Sequence, residues 1–202
     1  MADEKSPRPY RMQRRAELQD RTRLRITESA AELHGTLGPS QTSISAVAAR
    51  AGVRRSTLYR HFPDEAALFD ACSSHWAASN PLPDLGAWAA IASPDERLRV
   101  ALHELYAFYR RADRMLDNLF RDESIVPVVQ ERFAAIRGYF GAAQQTLMQG
   151  RKLRGARGRR TQAAVGHAIS YFTWRSLVRE QQLSDADAAA LMETLVASAA
   201  RR

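Results

Sequence analysis

The amino-acid sequence predicts an all-α fold of about nine helices. Apolar residues recur three and four positions apart in successive segments, which is the spacing of one face of an α-helix. Capping residues, prolines and glycines mark helix starts and stops along the chain. No segment alternates apolar and polar residues as a strand does, and no Asn-Gly hairpin signal occurs. The 202 residues suffice for one large domain or two small ones.

The first third of the sequence predicts a basic arm and three helices. Residues 1–13 hold two prolines, many charges and no periodicity, which predicts a flexible arm. The next segment predicts an amphipathic helix that ends before Gly38 and Pro39, with an inner stripe of Leu18, Thr22, Ile26, Ala30 and Leu33. Thr42 or Ser43 can cap a second helix, which Gly52 ends, and Val53 to Phe62 predicts a third.

The remainder of the chain predicts six further helices. Pro63-Asp64-Glu65 is a helix start, because proline and acidic residues suit the first turn. Asn80 to Pro83 predicts a rigid break, and Ser93-Pro94-Asp95-Glu96 is a second helix start. Apolar spacing then predicts helices up to Tyr109 and over residues 114–121, 126–148 and 162–180, with Ser184 capping a last one.

The surplus of basic residues is concentrated in the first third of the chain. The sequence has 30 Lys and Arg against 22 Asp and Glu, a net charge of +8. Residues 1–62 hold 12 basic and 6 acidic residues, so six of the eight surplus charges lie there. A basic surplus indicates a polyanionic partner, nucleic acid first and an anionic membrane surface second.

Other compositional features exclude several classes of protein. No apolar run approaches the ~18–20 residues of a membrane span, and the N-terminal segment lacks the apolar core of a signal peptide. The single cysteine, Cys72, cannot form an intrachain disulfide, which suits a cytoplasmic protein. On an apolar helical stripe, Cys72 is predicted to be buried and inert, with a redox sensor as the alternative.

The segment from Arg151 to Arg160 is a second basic cluster. It holds six cations in ten residues, and Gly155 and Gly158 predict that it is a loop. The favoured interpretation is a solvated loop, and the alternative is a second nucleic-acid patch.

Residues 42–62 predict a helix-turn-helix unit. Two short helices meet at Ala51-Gly52-Val53, and the small residues Ala48 and Ala51 let them cross closely. In such units the second helix enters the major groove with its N-terminal turn against the base edges. That turn holds Arg54, Arg55, Ser56 and Thr57, and arginine pairs bidentately with guanine. Phosphate contacts are assigned to Tyr59, Arg60 and His61, and Thr42 and Ser43 complete the DNA-binding candidates.

Residues 14–70 closely resemble the TetR family of bacterial transcriptional regulators. The residues that carry the resemblance are Thr42, Ile44, Val47, Ala48, Ala51, Gly52, Val53, Ser56, Thr57, Leu58, Tyr59, His61 and Phe62. Ser56 stands where the family usually has a smaller residue, often glycine. The family often has a phosphate-contacting lysine early in the fourth helix, whereas this chain has Asp64-Glu65.

The resemblance implies a ligand-responsive repressor. It implies a DNA-binding domain over residues 14–62 and an effector-binding and dimerisation domain over residues 63–202. It further implies a homodimer through the last two long helices, a near-palindromic double-stranded DNA operator and release by a small-molecule effector. The alternative is a constitutive DNA-binding protein without an effector.

Candidate effector-binding residues are aromatic or polar side chains of the second part. They are Tyr106, Tyr109, Phe133, Trp174 and His103, although aromatic residues at helical spacing are more often core. His103-Glu104 is not a zinc-protease motif, since position 107 is Ala rather than His. The sequence has no Gly-rich phosphate loop, nucleophile elbow or Cys-x-x-Cys pair. We therefore expect no catalytic site, no metal and no cofactor.

Overall fold

The computed structural model describes residues 8–201, and every regular element in that range is helical. The prediction of an all-α fold is confirmed. The ten α-helices are α1 Arg8–Thr36, α2 Ile44–Arg50, α3 Arg55–His61, α4 Glu65–Ser79, α5 Leu85–Ala89, α6 Pro94–Asp122, α7 Pro127–Met148, α8 Gly155–Ala168, α9 Tyr171–Arg175 and α10 Asp185–Arg201. None of the helices in this range is long and apolar enough to cross a membrane.

The described residues form two compact units. The first comprises the described part of Met1–Ser79 together with Asp117–Val129, and the second comprises Asn80–Leu116 and Gln130–Arg202. Residues 1–7, which include half of the predicted arm, lie outside the described residues. The functional boundaries predicted at residues 13 and 62 stay predictions.

Helix α1 begins earlier than predicted. Its first residue is Arg8 rather than Arg14, and all side chains from Met12 to Asp20 are exposed. Leu18, expected on the inner stripe, is 55% exposed, whereas Ile26 and Ala30 are fully buried. The apolar spacing therefore predicted the buried stripe of the second half of the helix correctly. It placed the start of that stripe too early, at Leu18, which is exposed.

Local capping signals position the helices of the first unit. The Ser43 hydroxyl accepts the Ala46 N–H at 3.1 Å, so Ser43 rather than Thr42 caps α2. Asp64 accepts the Ala67 N–H at 2.7 Å and begins α4. Gly38, with φ of +94°, ends the α1 region, and a Cβ there would collide with the guanidinium of Arg121.

Cys72 is buried beside His34 in the first unit, as its place on an apolar stripe predicted. Its Sγ lies 3.4 Å from His34 Nδ1. Burial raises the pKa of the Cys72 thiol to about 12 and lowers the pKa of His34 to about 4. Both groups are therefore uncharged at neutral pH, and a thiol in this state is a poor nucleophile.

The second unit differs from prediction in three helices. Helix α5 was not predicted, and Asp84 begins it by accepting the Gly86 N–H at 2.8 Å. Helix α6 runs without interruption over 29 residues, where two helices were predicted. The segment predicted as one helix over residues 162–180 breaks after Ala168 and resumes as α9, which continues into a π-helical turn at Ser176–Glu180.

The basic segment Arg151–Arg160 is only partly a loop. Helix α8 begins at Gly155, so Arg157, Arg159 and Arg160 are helical and exposed. Arg151 is instead 6% exposed and pairs with Asp95 at 2.8 Å, which gives it a structural role. Gly158 permits this helix start, because a Cβ there would lie 3.0 Å from the Leu153 carbonyl oxygen.

Candidate nucleic-acid interface

A tight turn joins helices α2 and α3. Gly52 has φ of +63°, a conformation that glycine adopts without strain. The Val53 N–H donates to the Ala48 carbonyl at 2.9 Å, and both Ala48 and Ala51 are buried. The small side chains allow the two helices to cross closely, which is the geometry of a helix-turn-helix unit.

Two apolar side chains hold α3 on the rest of the first unit. Leu58 and Phe62 are fully buried in one core with Ile26 and Ala30 of α1 and with Leu68 of α4. Burial of two large side chains contributes several kcal/mol, about 1.5–3 for each. The opposite side of α3 is left to solvent.

The exposed side of α3 brings most of the predicted DNA-binding residues together. Arg54 is the N-cap of α3 and makes no capping bond with its side chain. Arg55, Ser56 and Arg60 are exposed, and Tyr59 is 41% exposed. Thr57 is half-buried. A helix of seven residues is about 10 Å long, so these groups can enter one groove together.

Thr42 and Ser43 use their hydroxyls on the protein backbone. Thr42 donates to the Gly38 carbonyl at 2.7 Å, and Ser43 caps α2. These bonds position the start of α2. Their predicted contacts with DNA stay predictions.

His61 ends α3 and is half-buried. Partial burial lowers the pKa of its imidazole, and the positive charges of Arg60 and Arg23 lower it further. His61 is therefore neutral at physiological pH in the free protein. It can donate a hydrogen bond to a phosphate without adding a charge.

Two arginines outside the predicted set connect the helices of this unit. Arg50 of α2 pairs with Glu32 of α1, with Nε 2.7 Å from Oε2. Arg23 of α1 donates from Nη1 to the His61 carbonyl at 2.6 Å. No sequence signal could have found the second contact, because its acceptor is a backbone carbonyl 38 residues away.

The predicted effector-binding residues lie in the second unit, and the structure brings three of them together. The Tyr109 ring centroid lies 6.2 Å from that of Tyr106 and 5.9 Å from that of Trp174. Phe133 is buried, and His103 is exposed on α6. Tyr171 also packs against Tyr109 at 5.7 Å and was not predicted.

The polar atoms of the aromatic cluster are all bonded within the unit. Tyr106 and Tyr109 donate to the carbonyls of Ala168 and Ile169, and Trp174 donates to Asp185 at 2.9 Å. Burial raises the pKa of both tyrosines above the ordinary value. Over residues 8–201 no group of three or more His, Cys, Asp or Glu side chains is placed to hold a metal ion.

The comparisons with known proteins agree with this geometry. Residues 26–72 match the family described as bacterial regulatory proteins, tetR family. A search of curated proteins finds no match.

Solved structures share the fold of most of the chain. A putative fatty acid metabolism regulator of Clostridium perfringens has a TM-score of 0.62 at 16% identity, covering 87% of this chain and 97% of that one. AibR in complex with isovaleryl coenzyme A and operator DNA has a TM-score of 0.61 at 19% identity, with 86% and 97% covered. FadR of Bacillus subtilis in complex with stearoyl-CoA has a TM-score of 0.57 at 18% identity, with 88% and 97% covered. Residues 26–72 are therefore similar to the tetR family of bacterial regulatory proteins, and most of the chain shares the fold of these solved structures.

Proposed function

We propose that the chain is a cytoplasmic, ligand-responsive repressor. It binds a near-palindromic operator as a homodimer and is released by a small-molecule effector. The observation that carries the proposal is the exposed side of α3, where arginine, hydroxyl and tyrosine side chains face solvent on a helix held from behind by Leu58 and Phe62. Such a helix fits the major groove of B-DNA.

The homodimer is proposed to form through α8 and α10, the last two long helices. These helices pack against each other within the second unit. Leu191 and Leu195 of α10 are 46% and 39% exposed and lie four residues apart, on the same helical face. An apolar face of this kind suits a second copy of the chain. A two-fold dimer presents two recognition helices to successive major grooves, about 34 Å apart.

A binding-site selection with two α3 variants tests the recognition model. We expect Arg55→Ala to lose discrimination at one base position of each half-site, because a bidentate arginine–guanine pair is worth about 1–3 kcal/mol. We expect Tyr59→Phe to weaken all sequences equally, because its hydroxyl is assigned to a phosphate. A two-fold symmetric selected site is expected for the wild-type protein if the homodimer binds.

Two outcomes would contradict this assignment. If Tyr59→Phe changes the selected sequence and Arg55→Ala does not, the two roles are reversed. If the wild-type protein selects an asymmetric single site, it does not read DNA as a symmetric dimer.

For the effector we propose the class of acyl-coenzyme A thioesters. AibR and the Bacillus subtilis FadR, which share this fold, were each solved with a ligand of that class. The acyl chain is apolar and suits the aromatic surroundings of Tyr106, Tyr109 and Trp174. The coenzyme portion carries several phosphate charges and needs cationic partners.

The second unit offers such cations near the start of α8. Residues 132–179 contain ten Lys and Arg and no Asp or Glu. Around the start of α8, over residues 151–160, the exposed cations are Lys152, Arg154, Arg157, Arg159 and Arg160. Within residues 8–201 none of these five side chains has a hydrogen bond or an ion pair. Arginines without protein partners suit phosphate recognition.

A thermal-shift experiment with matched ligands tests the effector class. We expect an acyl-coenzyme A of medium chain length to raise the Tm of the protein and to release operator DNA, since a ligand that binds only the folded state stabilises it. The free fatty acid of equal length is expected to do much less. The variant Arg154→Gln/Arg157→Gln/Arg160→Gln is expected to lose most of the response to the thioester.

The control variant Arg14→Gln/Arg15→Gln/Arg21→Gln removes the same number of charges from α1 and is expected to keep the full response. Equal responses of the wild type and the α8 variant would contradict the role of the basic segment. DNA binding that no acyl-coenzyme A alters would contradict this effector class, and insensitivity to a broad metabolite screen would favour the constitutive alternative.

A further inference from the structure

Arg23 of α1 meets the C-terminal end of the recognition helix. Its Nη1 donates to the carbonyl of His61, the last residue of α3, at 2.6 Å. The last carbonyls of a helix have no partner within the helix, and they carry the negative end of its dipole. A guanidinium at this position therefore caps α3 from outside.

The same guanidinium lies over Phe62, the residue that follows α3. The Arg23 Cζ is 4.2 Å from the centroid of the Phe62 ring. The Phe62 side chain is fully buried, and it packs in one core with Ile26, which lies three residues after Arg23 on α1. One side chain of α1 thus contacts both the terminal carbonyl of α3 and the aromatic ring that follows it.

We propose that Arg23 is a positioning residue for DNA recognition, which sets the orientation of α3 without contacting DNA itself. Helix α3 has seven residues and is held at its start by the Gly52 turn. Its other end is held by Phe62 and by the Arg23 bond. A shift at the Arg23 end tilts the short helix and displaces Arg54 and Arg55 from the base edges. This inference rests on the proposed function of the exposed side of α3.

Operator titrations at several salt concentrations separate positioning from direct contact. Each phosphate that a cation neutralises contributes about −0.9 to the slope of log affinity against log salt. We expect Arg23→Met to weaken operator binding by about 10-fold or more, comparable to the loss of a base contact, with the slope unchanged. A slope smaller by about 0.9 per protomer would show a direct phosphate contact and overturn the proposal, as would unchanged affinity.

The pKa of His61, measured by NMR without DNA, provides a second readout. Partial burial lowers this pKa most, and the positive charges of Arg60 and Arg23 lower it further. We therefore expect Arg23→Met to raise the pKa of His61 and Arg23→Lys to leave it close to that of the wild type. The control Arg25→Met removes an exposed charge from the same helix and is expected to leave it unchanged. No change of the His61 pKa in Arg23→Met would overturn the contact.

Arg23→Lys keeps the proposal testable if the methionine variant unfolds. Lysine retains a donor and a charge but cannot lie flat on the Phe62 ring. We expect operator affinity below that of the wild type, and affinity equal to that of the wild type would overturn the proposal. If the wild-type chain binds no duplex DNA specifically, the proposed function fails. The NMR measurement still tests the Arg23 contact in that case.

Discussion

Operator affinity is expected to fall by about 10³-fold when the salt concentration rises from 50 to 200 mM. Arg54, Arg55 and Arg60 are exposed around α3. A homodimer therefore brings six such cations to the DNA. A cation brought against the DNA releases counterions whether it contacts a base edge or a phosphate, and a slope of about −0.9 per cation gives this loss for six cations. Fluorescence anisotropy with a selected operator measures the slope directly.

A charge-removing variant tests which residues produce the slope. Arg60→Gln is expected to reduce its magnitude by about 1.8 for a dimer, because one phosphate contact is lost from each protomer. Arg110→Gln is the control, since Arg110 is paired with Asp185 in the second unit. Affinity that is independent of salt would contradict the assignment of the basic surplus to DNA.

Replacement of Arg97 by methionine is expected to destabilise the second unit by about 3 kcal/mol. Arg97 is 4% exposed, yet its guanidinium bonds only to backbone carbonyls. Nε donates to the carbonyl of Trp88 in the last turn of α5, and Nε and Nη2 donate to that of Ile91, which follows α5. Nη1 donates to the carbonyls of Thr146 in the last turn of α7 and of Gln149 just after it, at 3.0 and 2.9 Å. Each acceptor lies at or just beyond a helix C-terminus, where a cation is favourable.

Methionine fills a similar volume but removes a donor from all four carbonyls. The carbonyls of Trp88 and Thr146 keep the backbone N–H groups of Ile91 and Gln149, whereas the partly buried carbonyls of Ile91 and Gln149 lose their guanidinium donor, which is costly. A loss of about 3 kcal/mol corresponds to a Tm lower by roughly 6–12 °C for a chain of this size. Scanning calorimetry measures the change. Arg99→Met on the same helix is the control, because Arg99 is exposed and pairs with Glu96, and its Tm is expected to stay near that of the wild type. Equal Tm values for the two variants would contradict the role of Arg97.

The sequence predicted the first unit better than the second, because its signals there are local. Ser43 caps α2, Gly52 has a positive φ, and Leu58 and Phe62 are buried, as their spacing indicated. In the second unit the decisive contacts join distant residues. Helix α8 begins at Gly155 although two glycines in four residues indicated a loop.

The residues of the candidate site also differ in whether local sequence signals or tertiary packing position them. Arg54, Arg55, Tyr59 and Arg60 could be named from the sequence because helical spacing alone places them opposite Leu58. Arg23 could not be named, because its acceptor is a backbone carbonyl fixed by tertiary packing.

The reaction of the buried Cys72 thiol with an added reagent reports local opening of the folded chain. It is the sole cysteine of the sequence, and its pKa of about 12 and its burial protect it from alkylating reagents in the folded state. A reagent can therefore react only when the helices around it separate, so the labelling rate measures the free energy of that opening. No residue needs to be replaced for this measurement. Labelling of Cys72 measures the opening of the first unit, whereas Arg97→Met lowers the stability of the second unit.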